Sequence, residues 1–200
     1  VADFCDVAMV EELLQGSIST GDQIAACQRA ITAASEAIRN YCNQTLHLGE
    51  DDEYTFDVPA VQYNLILPEL PVVSVKSVVE DGVTLTEGDD YILAHHGQLI
   101  RVGARWKQGW QIVTVTYTHG YATIPDDIAD IATRIAARVY QAGLRAADMD
   151  GVPGVAAKSL GDYSVQYTTE GSEGVMGVSA ARALLMSEKD LLNRYRIRGL

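Results

Sequence analysis

Three groups of side chains in this 200-residue sequence are of types that do chemistry. His119 and Tyr121 flank Gly120 where the chain changes rhythm, an arrangement that can be read as an active-site turn. The run "GEDDE", Gly49 to Glu53, gathers four carboxylates that attract divalent cations. Cys5, Cys27 and Cys42, with the adjacent pair His95-His96, are the candidate soft ligands and nucleophiles.

Each group has a plainer explanation. His119 has no identifiable acid or nucleophile in register with it, so it reads as a turn-adjacent residue. "GEDDE" lacks the alternating ligand spacing of a calcium loop and reads as a solvated acidic loop. No CxxC pair exists, and neighbouring histidines in a strand point to opposite faces, which is poor chelating geometry. An odd, sparse set of cysteines fits reduced thiols, and Cys27 lies on the apolar side of a predicted helix, where cysteine acts as a small hydrophobe. The sequence holds no GxxxxGK[ST], GxSxG, HExxH or GxGxxG motif. The reading is therefore of a chain that is not an enzyme and has no cofactor or bound metal.

The elements that would position these residues are legible from periodicity. A short helix is predicted over residues 6–15, ended by Gly16. A long one follows over 20–44, with Ser19 or Thr20 as N-cap. Its stripe of Ile24, Cys27, Ile31, Ala34, Ile38 and Tyr41 is widened by alanines. Residues 53–118 form a predicted β region of short β-branched runs. Asp81-Gly82 signals a hairpin, Gly97 a second tight turn, and Pro68 and Pro71 an irregular stretch. Trp106 and Trp110 flank Gly109 and read as caps on the β core.

Val113, Val115 and Tyr117 alternate with Thr114, Thr116 and Thr118, the period of a strand. Gly120 then turns the chain, and Pro125 opens a helix over 126–147 whose stripe is Ile128, Ile131, Ile135 and Val139. Residues 149–177 are Gly-rich and read as a flexible loop or hairpin arm carrying the alternating run "DYSVQYT". Residues 178–200 read as a C-terminal helix. The predicted domain plan is a core over 1–148, an arm over 149–177 and that helix. The predicted class is α+β: a bundle of long amphipathic helices with an inserted small antiparallel β region and an extended C-terminal arm.

Charge narrows the function classes. The net charge is −12, and residues 1–100 hold 17 acidic and 3 basic side chains against 10 and 12 in residues 101–200. An acidic body disfavours tight DNA binding, which needs lysine and arginine for phosphate. The basic tail, with Arg194, Arg196 and Arg198, reads as a partner surface. No apolar run approaches the ~18 residues of a membrane span. The acidic start, with Asp3, Asp6, Glu11 and Glu12, is not that of a secretory signal.

The order of parts resembles a known family. An Ala-rich helix ends in "RNYCNQTL"; "LPVVSVKSV" lies near the start of the β region. "VTVTYTHGYATIPDDIADIATRIAARVY" closes it, and "SLGDYSVQYT" comes late. Together, over roughly Ser19 to Thr168, these resemble the head–tail connector (adaptor or head completion) proteins of tailed double-stranded-DNA phages.

The resemblance implies a structural virion protein of the neck, assembled in the host cytoplasm. It implies a homo-oligomeric ring of about a dozen subunits that docks on the portal protein, passes double-stranded DNA through its lumen without sequence-specific binding, and presents a surface to a stopper or tail-completion protein. On that reading Leu184, Leu191, Leu192, Arg194, Tyr195, Arg196 and Arg198 are the candidate portal contacts. Gly161, Asp162, Tyr163, Ser164 and Val165 are the candidate inter-subunit arm. No membrane is involved. An oligomeric enzyme of unknown reaction and a DNA-associated regulatory protein are the alternatives from other classes.

Overall fold

Short β-branched runs separated by tight turns bury little surface one at a time, but paired into sheets they share a core. That is what the middle of this chain does. The computed structural model describes residues 2–148, 157–160, 163–166 and 184–197. Its elements, in chain order, are α1 (Val7–Leu14), α2 (Gly21–Cys42), β1 (Gly49–Val58), β2 (Asn64–Ile66), β3 (Val72–Glu80), β4 (Val83–Leu85), β5 (Tyr91–Ala94), β6 (Gln98–Arg101), β7 (Gly109–His119), α3 (Asp126–Asp148), β8 (Ala157–Leu160), β9 (Tyr163–Gln166) and α4 (Met186–Leu192). The chain divides into a β unit, built on Arg39–Asp126 with the segment from Leu192 onward, and a helical unit, built on Asp3–Ile38 and Asp127–Leu191.

In the β unit every paired strand is antiparallel. One sheet has the order β1-β7-β3-β4 and the other β2-β6-β5. Phe56, Val58, Val78, Val113, Val115 and Tyr117 from the first sheet, and Leu65, Tyr91 and Leu99 from the second, belong to one buried cluster with Trp106. Fully burying a side chain of this kind stabilises by roughly 1.5–3 kcal/mol. Asp81 (φ 51) and Gly82 (φ 76) make the β3–β4 hairpin turn, as the dipeptide predicted. His96 and Gly97, both at positive φ, turn β5 into β6. The two tryptophans part company: Trp106 is fully buried in the core, whereas Trp110 is 78% exposed.

A buried ion network fixes the β6–β7 loop that carries Trp106. Glu80 accepts from Arg101 Nε at 3.3 Å and from the Lys107 amide at 2.8 Å, and Arg101 lies over the Trp106 ring. A buried carboxylate is stable only when so satisfied.

In the helical unit, Asp6 caps α1 by accepting from the Met9 amide. Thr20 and Gln23 form a reciprocal capping box at the start of α2. Cys27, Ile31, Ala34 and Ile38 are buried along α2, and Ile128, Ile131 and Ile135 along α3, as predicted; of the other stripe residues Ile24 is exposed, and Tyr41 and Val139 are half-buried. The segment before α1 touches both helices: the Phe4 amide donates to Ser35 of α2, and Cys5 hydrogen-bonds Thr133 of α3. β8 and β9 pair as an antiparallel two-stranded sheet, Ala157 opposite Gln166 and Leu160 opposite Tyr163.

The predicted helical bundle with a small β insert is not what forms. Among the described residues only α2 and α3 are long, at 22 and 23 residues, and the two sheets build a unit with a core of its own. Weighing the long stripes above the short alternating runs understated the sheets, because each β run is too short to impress by itself. Among the described residues of the predicted C-terminal helix, the helix covers Met186–Leu192, and Leu184 and Leu192 are buried; 178–183 and 198–200 lie outside the described residues. Among the described residues no helix is long and apolar enough to cross a membrane.

Candidate docking surfaces

The His119 junction comes first, because it holds the groups best able to do chemistry. β7 does not stop at Tyr117. Its period of two runs on to His119 and places both rings on the buried side, with centroids 5.0 Å apart. His119 is 4% exposed, and its Nε2 lies 3.1 Å from Asp52 Oδ2. The expectation of a turn residue with no acid in register is therefore wrong. The alternation could have foretold the burial, but the acid comes from β1, across a bulged register that no local pattern encodes. An imidazole–carboxylate pair is half of a catalytic relay; the other nitrogen must reach a nucleophile. Here Nδ1 is buried with no hydrogen-bond partner among the described residues, and the ring packs against Tyr117.

The surrounding backbone is shaped to that ring. A Cβ on Gly49 would lie 2.9 Å from the imidazole. Gly120 has φ +84, and a Cβ there would stand 2.0 Å from the carbonyl oxygen of His47. Gly120 thus turns the chain where no other residue fits.

Two carboxylates of the acidic run are paired, Asp51 with Lys76 and Asp52 with His119. Among the described residues no group of three or more His, Cys, Asp and Glu side chains is placed to hold a metal ion. All three cysteines are free and buried. Burial pushes the Cys5 thiol up to about 11 and the Cys42 thiol up to about 12, and it raises Cys27 as well. These are not the depressed values of a reactive thiolate.

The C-terminal residues form two sets. In the helical unit, Glu188 takes a bidentate pair of hydrogen bonds from Arg138 of α3 and a third from the Leu185 amide. That inward carboxylate makes Leu184, Glu188 and Leu192 the buried row, four residues apart, and leaves Leu185, Met186 and Leu191 exposed. In the β unit, the segment after α4 lies along the last turn of α2. The Ile197 amide donates to the Cys42 carbonyl, the Tyr41 hydroxyl to Asn193, and the Gln44 side chain to the Tyr195 carbonyl. Tyr195 packs edge-on against Tyr121, and Arg196 lies over the Tyr41 ring. Of the seven candidate portal contacts, Leu184 and Leu192 are thus buried, Tyr195 is half-buried, and Leu191, Arg194 and Arg196 are exposed. Arg198 lies outside the described residues. Of the candidate arm, Tyr163, Ser164 and Val165 belong to β9, and Gly161 and Asp162 lie outside the described residues.

Residues 7–136 match the family model described as "Head completion protein". The chain belongs to the head completion protein family. It is accordingly a virion protein of the head–tail junction, and the resemblance seen in "LPVVSV" and the "VTYTHGY" junction is borne out; "GDYSV" lies beyond the matched residues. The family match runs from α1 into α3 and takes in the His119 junction; α4 and the segment after it lie beyond it.

Among solved structures, the chain is similar to one from the neck of an empty GTA particle computed with C6 symmetry. The two share 20% identity and a TM-score of 0.50 over 97% of this chain and 90% of that one. A chain from the neck of a native GTA particle computed with C12 symmetry gives 18% identity over the same shares, with a TM-score of 0.47. No curated protein matches the chain. At 20% identity the first likeness establishes a shared fold.

Proposed function

We propose that this head completion protein is one subunit of a ring that docks on the portal, extends the DNA channel and offers its far side to the next neck or tail protein. The observation that carries this reading is the family match over residues 7–136. The fold shared with a chain from a particle neck supports it. A structural role follows from that family, and among the described residues no hydrogen-bond partner faces the second nitrogen of the His119–Asp52 pair.

Portal contact falls to the apolar side chains that α4 and its entry leave exposed, Leu185, Met186 and Leu191. Leu184 and Leu192, spent on the chain's own core, hold the helix in place for that contact. An acidic body beside the lumen repels phosphate and keeps DNA sliding freely. The β8–β9 sheet is the element that adds to a neighbouring subunit. Imaging of purified particle necks tests the whole. The chain should occupy a ring between portal and tail, and density for it anywhere else would refute the assignment.

A further inference from the structure

The segment after α4 does more than return along α2. With the β5–β6 turn it walls a groove of about 960 Å³ in the β unit. His95 and His96 line it from the turn, Arg194 and Arg196 from the segment, and Leu46, Ile66 and Leu93 give it an apolar lining. Among the described residues that line it, none is acidic. On a chain of net charge −12 this is a local reversal of sign, and it selects an occupant that is acidic and apolar at once.

The chain carries such a shape. Helix α1 anchors inward through Val10, which is fully buried. Outward it shows Met9, 36% exposed, Leu13, 47% exposed, and the exposed Glu12. Spacings of three and four put these three on one face, the pattern by which a helix seats in a groove. Residues 1–16 contain four acidic side chains and no lysine or arginine. Three of the four are already engaged: Asp6 caps α1, Asp3 accepts from Gln28 and Thr32, and Glu11 accepts from the Ile18 amide. Glu12 remains to meet a cation.

We propose that the groove receives the Met9–Glu12–Leu13 face of α1 from a second copy of the chain. Met9 and Leu13 are exposed on α1 and so are available to a second copy. A knob at one place and its socket at another make a heterologous contact, the kind that repeats around a ring. The inference rests on the ring reading above and specifies which surfaces meet.

The test uses the full chain in sedimentation velocity at low salt. One variant spoils the knob, Met9→Asp with Leu13→Asp; two others spoil the socket, Ala94→Trp by filling it and Arg194→Glu by reversing its charge. Circular dichroism confirms that each is folded. The wild type should associate, and each variant should raise the concentration for half-association by at least about tenfold. A mixture of knob and socket variants should stop at dimers, because each pair retains one intact contact. Glu12→Arg combined with Arg194→Glu in one chain should recover association. If the wild type forms rings and the variants assemble equally well, the ring stands and this contact falls. A wild type that stays monomeric at every soluble concentration also removes the contact, whereas neck imaging judges the ring independently.

Discussion

Arg138 and Glu188 meet through two parallel hydrogen bonds, 2.7 Å and 2.8 Å long, across 50 residues of sequence. Glu188 is 4% exposed, so this is the charge that fixes α4. Removing one partner of a buried pair leaves the other without compensation. Arg138→Ala should therefore destabilise the chain by about 2–3 kcal/mol in denaturant unfolding, below the full buried-pair value because the arginine is partly exposed. Leu192→Ala should cost about 2–4 kcal/mol, since that side chain is fully buried. A deletion from Ser187 onward would remove both supports and should lower stability rather than leave the body unchanged. An unaltered melt for all three would show that α4 contributes nothing to the fold.

At the strand-to-helix junction the backbone should be less forgiving than the imidazole. Gly120→Val combines positive φ with a clash on the His47 carbonyl, and should cost more than about 3 kcal/mol or abolish soluble expression. His119→Ala empties a buried site and should cost about 1–3 kcal/mol, not the small amount of an exposed turn change. Asp52→Asn, at an exposed carboxylate, should stay within about 1 kcal/mol. Equilibrium unfolding of the three variants ranks them, and an inverted order would mean that the pair, not the packing, holds the junction.

The thiols give a pH prediction with a definite sign. A raised folded-state value means that the folded chain keeps its proton where the unfolded chain loses it. For Cys42 the stabilisation is complete below the ordinary thiol value of 9.0 and is lost as pH rises toward about 12. Stability should fall across that interval, and Cys42→Ala should flatten the fall. Native protein should also resist maleimide at mildly alkaline pH and react fully once unfolded. Rapid labelling of the folded chain would contradict the burial of all three sites.

The two tryptophans separate by fluorescence. Trp110 should be quenched readily by iodide and Trp106 hardly at all. Trp106→Ala should cost about 3–5 kcal/mol, and Trp110→Ala should lie within about 0.5 kcal/mol for the free subunit. Equal quenching of the two single-tryptophan variants would overturn the assignment.

What could be read from the residues was whatever repeats locally. The stripes of α2 and α3, the Asp81-Gly82 hairpin, the burial of Cys27 and the turn at Gly120 all follow from spacings of two, three or four and from backbone preference. What could not be read depends on partners far along the chain. Asp52 reaches His119 through a bulged register, Glu80 finds Arg101 across two sheets, and Glu188 is buried only because Arg138 awaits it. Leu191 and Leu192 are adjacent and equally apolar in the sequence, yet one is exposed and the other buried, because the Glu188 carboxylate sets the rotation of α4. The C-terminal row of leucines looked like a free face for the same reason.

The contact between Cys42 and Leu192 spans 150 residues. On the ribosome this sets an order of events. The last turn of α2 is made before the strands, but its cover and the wall of the basic groove come only after the described strands have been synthesised. A chain cut before Arg194 lacks the groove wall that Arg194–Ile197 supply. Closure of the groove is thereby tied to synthesis of residues 194–197, which lie more than 90 residues beyond the β5–β6 turn that forms its other wall.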